Sequence, residues 1–127
     1  MISEIRVIKS LAEIDKDDRN TVAAVGNFDG VHLGHQKIIE QAKILAKRLG
    51  TLPSILTFEP HPRVLFQTDG IPFRLSTSAS KALALSTLGI ELIFELQFDK
   101  SFAQLSAEDF VVRVLKENLR LQHVVCG

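Results

Sequence analysis

Hydrophobic and polar positions change rhythm repeatedly along this chain. Thr21 to Phe28 is a short run rich in valine and alanine, bounded by Asn20 and Gly30, which is the pattern of a strand buried on both faces. From Gly34 to Leu49 the period lengthens: Ile38, Ile39, Ala42, Leu45, Ala46 and Leu49 recur at steps of three or four, with Lys37, Glu40, Gln41, Lys43, Lys47 and Arg48 on the other face. That spacing predicts an amphipathic helix closed by Gly50. "LPSILTF", Leu52 to Phe58, then returns to strand, so the first half of the chain is a strand, helix, strand unit of the kind that places its two strands in parallel.

The following "EPHPRVLFQTDGIPFRLS" carries Pro60, Pro62, Gly70 and Pro72, which exclude a regular helix or a central strand and predict a long loop. Thr77 to Leu88 resumes a helical pattern, with Ser76 or Thr77 as its N-cap and Gly89 beyond its end. "IELIFELQF" is a third strand. Ser106 opens another helix, with Asp109 in a shortened capping box and Phe110, Val111, Val114 and Leu115 as the expected buried side. "LQHVVC" reads as the next strand. Strands and helices in alternation predict an α/β, doubly wound parallel sheet.

Composition adds bounds to this picture. A length of 127 residues suits one domain, and 46% hydrophobic with 24% charged residues is the make-up of a chain with a packed core. Fifteen basic and fifteen acidic residues give zero formal net charge, so no field of one sign draws in nucleic acid or an anionic membrane. Cys126 has no partner cysteine, the opening "MISEIRVIKS" alternates instead of forming a leader, and no apolar run reaches membrane-spanning length. A cytoplasmic protein is the expectation.

The candidate chemistry is concentrated where the first strand meets the first helix, in "VGNFDGVHLGHQ", Val25 to Gln36. Its three glycines permit a tight path around a ligand, and His32 and His35 stand one turn apart at the mouth of a helix whose first N–H groups and partial positive charge favour an anion. Two imidazoles there suit charge developing on a phosphate, hence phosphoryl or nucleotidyl transfer. Each residue also has a plainer reading: the histidines as metal ligands or as capping and core residues, Asn27 and Asp29 as turn formers. Together at a strand-to-helix junction they favour the ligand site. Neither "GxxxxGK[ST]" nor "GxGxxG" occurs, which sets aside two common nucleotide-binding solutions.

"GNFDGVHLGHQ" resembles the "HxGH" signature of the nucleotidylyltransferase superfamily. With "TFEPHP" at Thr57 to Pro62, and with "RLSTSASKALALSTLGI" and "FAQLSAEDFVVRVLKENLRLQHVVCG" in the same order, the chain is similar over nearly its whole length to the adenylyltransferase module of the prokaryotic bifunctional riboflavin kinase/FAD synthetase family. Cytidylyltransferases share the histidine pair but lack the "PHP" loop. The resemblance implies a Rossmann-like nucleotidylyltransferase fold and transfer of AMP from ATP to FMN, giving FAD and pyrophosphate with Mg²⁺. It implies contacts from His32 and His35 to ATP phosphates, as the catalytic pair, and a pocket shaped by Gly26, Asn27, Phe28, Asp29 and Gly30. Glu59, His61, Pro62 and Arg63 would lie near the flavin, with Arg63 and Arg74 as candidate phosphate contacts. No metal ligands are implied within this sequence.

The family's later "DFxFG" and "ISSTxIR" segments are absent from residues 1 to 127, as is its riboflavin kinase domain. The expectation is therefore the front portion of an FMN adenylyltransferase domain, incomplete at its C-terminus, with the fused kinase domain in the full-length parent and little FAD synthesis from this stretch alone. The alternatives are another nucleotidylyltransferase, acting on a phosphorylated small metabolite, and a catalytically silent nucleotide- or flavin-binding module.

Overall fold

Five short strands form one sheet in the computed structural model, which describes residues 5–15, 20–26, 28, 33–59, 78–97, 102 and 104–126. They are β1 (Arg6–Ile8), β2 (Val22–Val25), β3 (Pro53–Glu59), β4 (Leu92–Gln97) and β5 (His123–Cys126). All pairings are parallel, in the spatial order β1-β4-β3-β2-β5. Among the described residues the helical connections are a 3-10 turn (Leu11–Glu13), α1 (Leu33–Leu49), α2 (Ser78–Thr87), and a short α-helical turn, α3 (Ala107–Asp109), that runs on as a π-helix over Phe110–Asn118. This is the doubly wound α/β sheet expected from the alternation of patterns.

The two faces of the sheet are assigned by residue parity. On β2, Val22 and Ala24 join Ile55 and Ile93 in a cluster with Ile38, Ile39, Ala42 and Ala46 of α1 and Leu85 of α2. Ala23, Leu56 and Phe94 face the other way, onto Val114 of the π-helix, Leu119, and Ile8 and Ile14 from the start of the chain. A strand covered on both sides needs apolar residues at consecutive positions, and β2 supplies them: Val22, Ala23 and Ala24 have no exposed surface.

Helix ends follow local chemistry. Gly50 and Gly89 take left-handed φ values of +71° and +90° just past α1 and α2, a conformation that glycine adopts without strain. At α3 the Ser106 hydroxyl accepts a hydrogen bond from Asp109 N at 3.0 Å, satisfying one of the donors left over at a helix start. The expected buried side of that last helix needs a correction: Val114 is buried, but Val111 is 51% exposed. The π-helix explains it. Its wider turn, seen where Leu119 N donates to Val114 O at 3.0 Å, carries the buried stripe from Val114 to Leu119, five residues on, and turns Val111 outward.

At the amino edge of the sheet the buried polar groups are neutral and mutually satisfied. Thr21 Oγ1 and Ser54 Oγ lie 2.8 Å apart, and the Asn20 carbonyl accepts from Thr51 Oγ1 at 2.8 Å and Gln122 Nε2 at 2.9 Å. These bonds tie the entries to β2, β3 and β5 together and leave the opposite, carboxyl edge to the candidate site.

Candidate active site

Strand order locates the site before any side chain is considered. From β2 the chain moves through β3 to β4 in one direction, then returns to lay β5 on the other flank of β2. The carboxyl ends of β2 and β5, where Val25 and Cys126 are in register, therefore flank the crevice at which parallel sheets of this kind bind ligands. The glycine- and histidine-rich stretch begins there, at Gly26, and ends in the first turns of α1.

Of the residues singled out in that stretch, Gly26, Phe28 and His35 are described. Gly26 N still bonds to Leu56 O at 3.1 Å, as the last rung of the sheet. Phe28 follows at φ +53°, a left-handed conformation that costs a phenylalanine about 1–2 kcal/mol and is held here by complete burial of its ring among Val22, Ala24, Ile38 and Ile39. The ring folds back under Gly26: a Cβ at that position would stand 3.3 Å from Phe28 Cε2, so glycine is what lets the chain close over the ring. On its other side Phe28 meets the His35 ring, centroid to centroid 4.9 Å at 51°. His35 is half-buried with Nδ1 inside, in the first turn of α1. Phe28 is thus a core residue whose exposure is nil and whose effect on the crevice is to seat an imidazole at the positive end of a helix.

Asn27, Asp29, Gly30, His32, His61, Pro62, Arg63 and Arg74 lie outside the described residues, and Glu59 is placed by its backbone only, as the last residue of β3. β2 and β3 are adjacent and parallel, so the two motifs leave the sheet from neighbouring strands on the same edge. Among the described residues no group of three or more His, Cys, Asp or Glu is disposed to hold a metal.

Two features at this edge had no signal in the sequence. Phe58, Phe102 and Phe110 form an aromatic cluster with centroid distances of 5.8, 6.0 and 5.7 Å, on the π-helix side of β3 and half-buried throughout. They are spread over 53 positions of chain, so only the fold brings them together. On the opposite face, Lys81 of α2 is buried, with Nζ donating to Thr57 Oγ1 at 3.4 Å.

A model of the FAD synthetase family matches residues 14–127. The chain belongs to the FAD synthetase family. Relatives named bifunctional riboflavin kinase/FMN adenylyltransferase occur in Buchnera aphidicola of Schizaphis graminum, 32% identical over 97% of this chain, and in Listeria monocytogenes, 40% identical over 87% of it. The Bacillus subtilis protein of the same name is 37% identical over 90%. The chain spans only 39%, 35% and 36% of those three proteins, respectively. A solved structure named as a macrolide-efflux protein of Streptococcus pneumoniae superposes with a TM-score of 0.82 at 25% identity, over all of this chain and 41% of that one. Among the described residues no helix is long and apolar enough to cross a membrane. Membership of the family agrees with the nucleotidylyltransferase-type α/β sheet and with the occurrence of "HLGH" and "PHP" in one sequence.

Proposed function

We propose that this chain forms part of an FMN adenylyltransferase domain, within a full-length enzyme that also carries a riboflavin kinase domain, acting in the cytoplasm on ATP and FMN. The observation that supports this reading best is the seat of His35: an imidazole held by Phe28 in the first turn of α1, at the switch point of a parallel sheet, in a chain of the FAD synthetase family.

In the reaction an oxygen of the FMN phosphate attacks the α-phosphorus of ATP. The new P–O bond forms as the bond to the bridging oxygen breaks, and pyrophosphate leaves. The attacking phosphate is already an anion at neutral pH, so no residue has to remove a proton from it. The protein's task is to align two anions and to neutralise charge on the α-phosphoryl oxygens and the leaving group. His32 and His35 would donate to those oxygens, assisted by the N–H groups at the start of α1, and Gly26, Asn27, Phe28, Asp29 and Gly30 would border the same pocket. Magnesium would enter with the nucleotide, held by its phosphates, and would add charge neutralisation there. Glu59, His61, Pro62 and Arg63, leaving the neighbouring strand, would border the flavin, and the Phe58, Phe102 and Phe110 cluster offers an apolar aromatic surface on that side of β3.

The test is incubation of the full-length protein with FMN and Mg·ATP, following FAD and pyrophosphate together. Formation of both in equal amounts, with ATP and not CTP, is expected. Pyrophosphate release with CTP and another phosphorylated metabolite, or flavin and nucleotide binding without turnover, would overturn the proposal.

A further inference from the structure

Buried polar groups at the two edges of the sheet differ in kind. At the amino edge they are the neutral hydroxyls of Thr21 and Ser54. At the carboxyl edge, Lys81 and Glu95 are each only 5% exposed, beside a fully buried Thr57. Thr57 and Glu95 are register partners on β3 and β4, each two residues before its strand ends, and both alternate with Ile55 and Ile93 onto the α1/α2 face. Lys81 stands in the first turn of α2 and reaches the same layer, Nζ to Thr57 Oγ1 at 3.4 Å. An apolar side chain would fill this place without desolvating an ammonium, so net stability does not account for a lysine here.

We propose that Lys81 is a positioning residue for the flavin side of the site, acting through Thr57 to hold the carboxyl end of β3. Phe58 and Glu59 are the next two residues after Thr57. Phe58 belongs to the aromatic cluster, and Glu59 is the third residue of the "TFEPHP" motif and the first of its proposed flavin border. A lysine that ties the start of α2 to the end of β3 sets where those two residues leave the sheet. Its bond to Thr57 lies on β3, whereas the histidine motif departs from β2. The consequence is selective: losing Lys81 should loosen the FMN subsite and spare the ATP phosphates. This rests on the reading of the Glu59 to Arg63 stretch as the flavin border.

The experiment compares Lys81→Met, Lys81→Arg and Thr57→Val in the full-length protein, by steady-state kinetics and by amide exchange. Lys81→Met is expected to raise KM for FMN roughly tenfold with KM for ATP within about twofold, Lys81→Arg to recover most of the loss, and Thr57→Val to show the same pattern more weakly. Exchange at the Phe58 and Glu59 amides should quicken roughly tenfold in Lys81→Met, with Val22 to Val25 of β2 unchanged. An unchanged KM for FMN, a parallel rise of both KM values, or faster exchange spread evenly over β2 and β3 would overturn the proposal, because each describes either no role or a general loss of stability. Should the unmutated protein form no FAD, the proposed reaction fails, and the exchange pattern alone then decides the role of Lys81.

Discussion

Phe28 offers a test in which the backbone and the side chain of one residue can be separated. Its ring is fully buried against α1 and the His35 ring, and its φ is +53°. Truncation to alanine removes a core aromatic and leaves a cavity, which costs about 3–5 kcal/mol, including about 0.5–1.5 kcal/mol for the ring-on-ring contact. With an unfolding entropy of about 2.1 cal/mol/K per residue over 127 residues, each kcal/mol is worth roughly 4 °C, so Phe28→Ala should lower Tm by about 10–20 °C. Glycine at the same position removes the same ring but also lifts the left-handed strain of about 1–2 kcal/mol, against about 0.5–1 kcal/mol of extra chain entropy. Phe28→Gly is therefore expected to be more stable than Phe28→Ala by about 0.5–1 kcal/mol, the reverse of the order in a helix or strand. Urea unfolding followed by far-UV circular dichroism reads this as a higher midpoint at equal slope. An alanine variant as stable as or more stable than the glycine variant would refute the account of a strained turn at the end of β2, and a Tm loss under about 4 °C would refute the burial of the ring.

Three further outcomes are expected. His32→Ala and His35→Ala should each lower the rate of FAD formation by about 10²–10³-fold in the full-length protein, the usual loss for one donor to a developing anion, while shifting unfolding by no more than about 1.5 kcal/mol; near-normal turnover in both would remove the histidines from the reaction. Val111→Ser should stay within about 0.5 kcal/mol of the unmutated chain, whereas Val114→Ala should cost about 1.5–2.5 kcal/mol, and equal costs measured by urea unfolding would favour an ordinary α-helix over the π-helix. Ser106→Ala should destabilise by about 1 kcal/mol through loss of the bond to Asp109 N, with Ser106→Asn close to neutral in the same measurement.

What could be read without the fold was whatever the chain decides locally. The stepping of Ile38, Ile39, Ala42 and Ala46 predicts a helix from Gly34 to Leu49, observed at Leu33–Leu49, because side chains three and four apart share a face whatever lies opposite. Gly50 and Gly89 mark helix ends because glycine takes a left-handed φ without steric cost, and Ser106 caps its own neighbour three residues on. The consecutive apolar residues of β2 announce a strand covered on both faces, and from strand, helix, strand alternation the parallel sheet follows. The histidine and "PHP" motifs were legible as residue types, and through them the family. Tertiary structure decided the rest, because it depends on which surfaces meet. Strand order, with β5 returning beside β2, turns the end of one strand into a switch point. Packing against Leu56 and Phe94 selects the five-residue spacing that buries Val114 with Leu119 and turns Val111 to solvent, where a 3.6-residue period would have buried it. Phe28 reads from its pattern as the end of a strand and through the family resemblance as part of a ligand pocket, but the strand ends at Val25 and the space beneath Gly26 makes Phe28 the wedge that seats His35. Lys81, one polar residue within the helical pattern of Thr77 to Leu88, is buried with its Nζ at Thr57, a juxtaposition of residues 24 positions apart that no local pattern encodes.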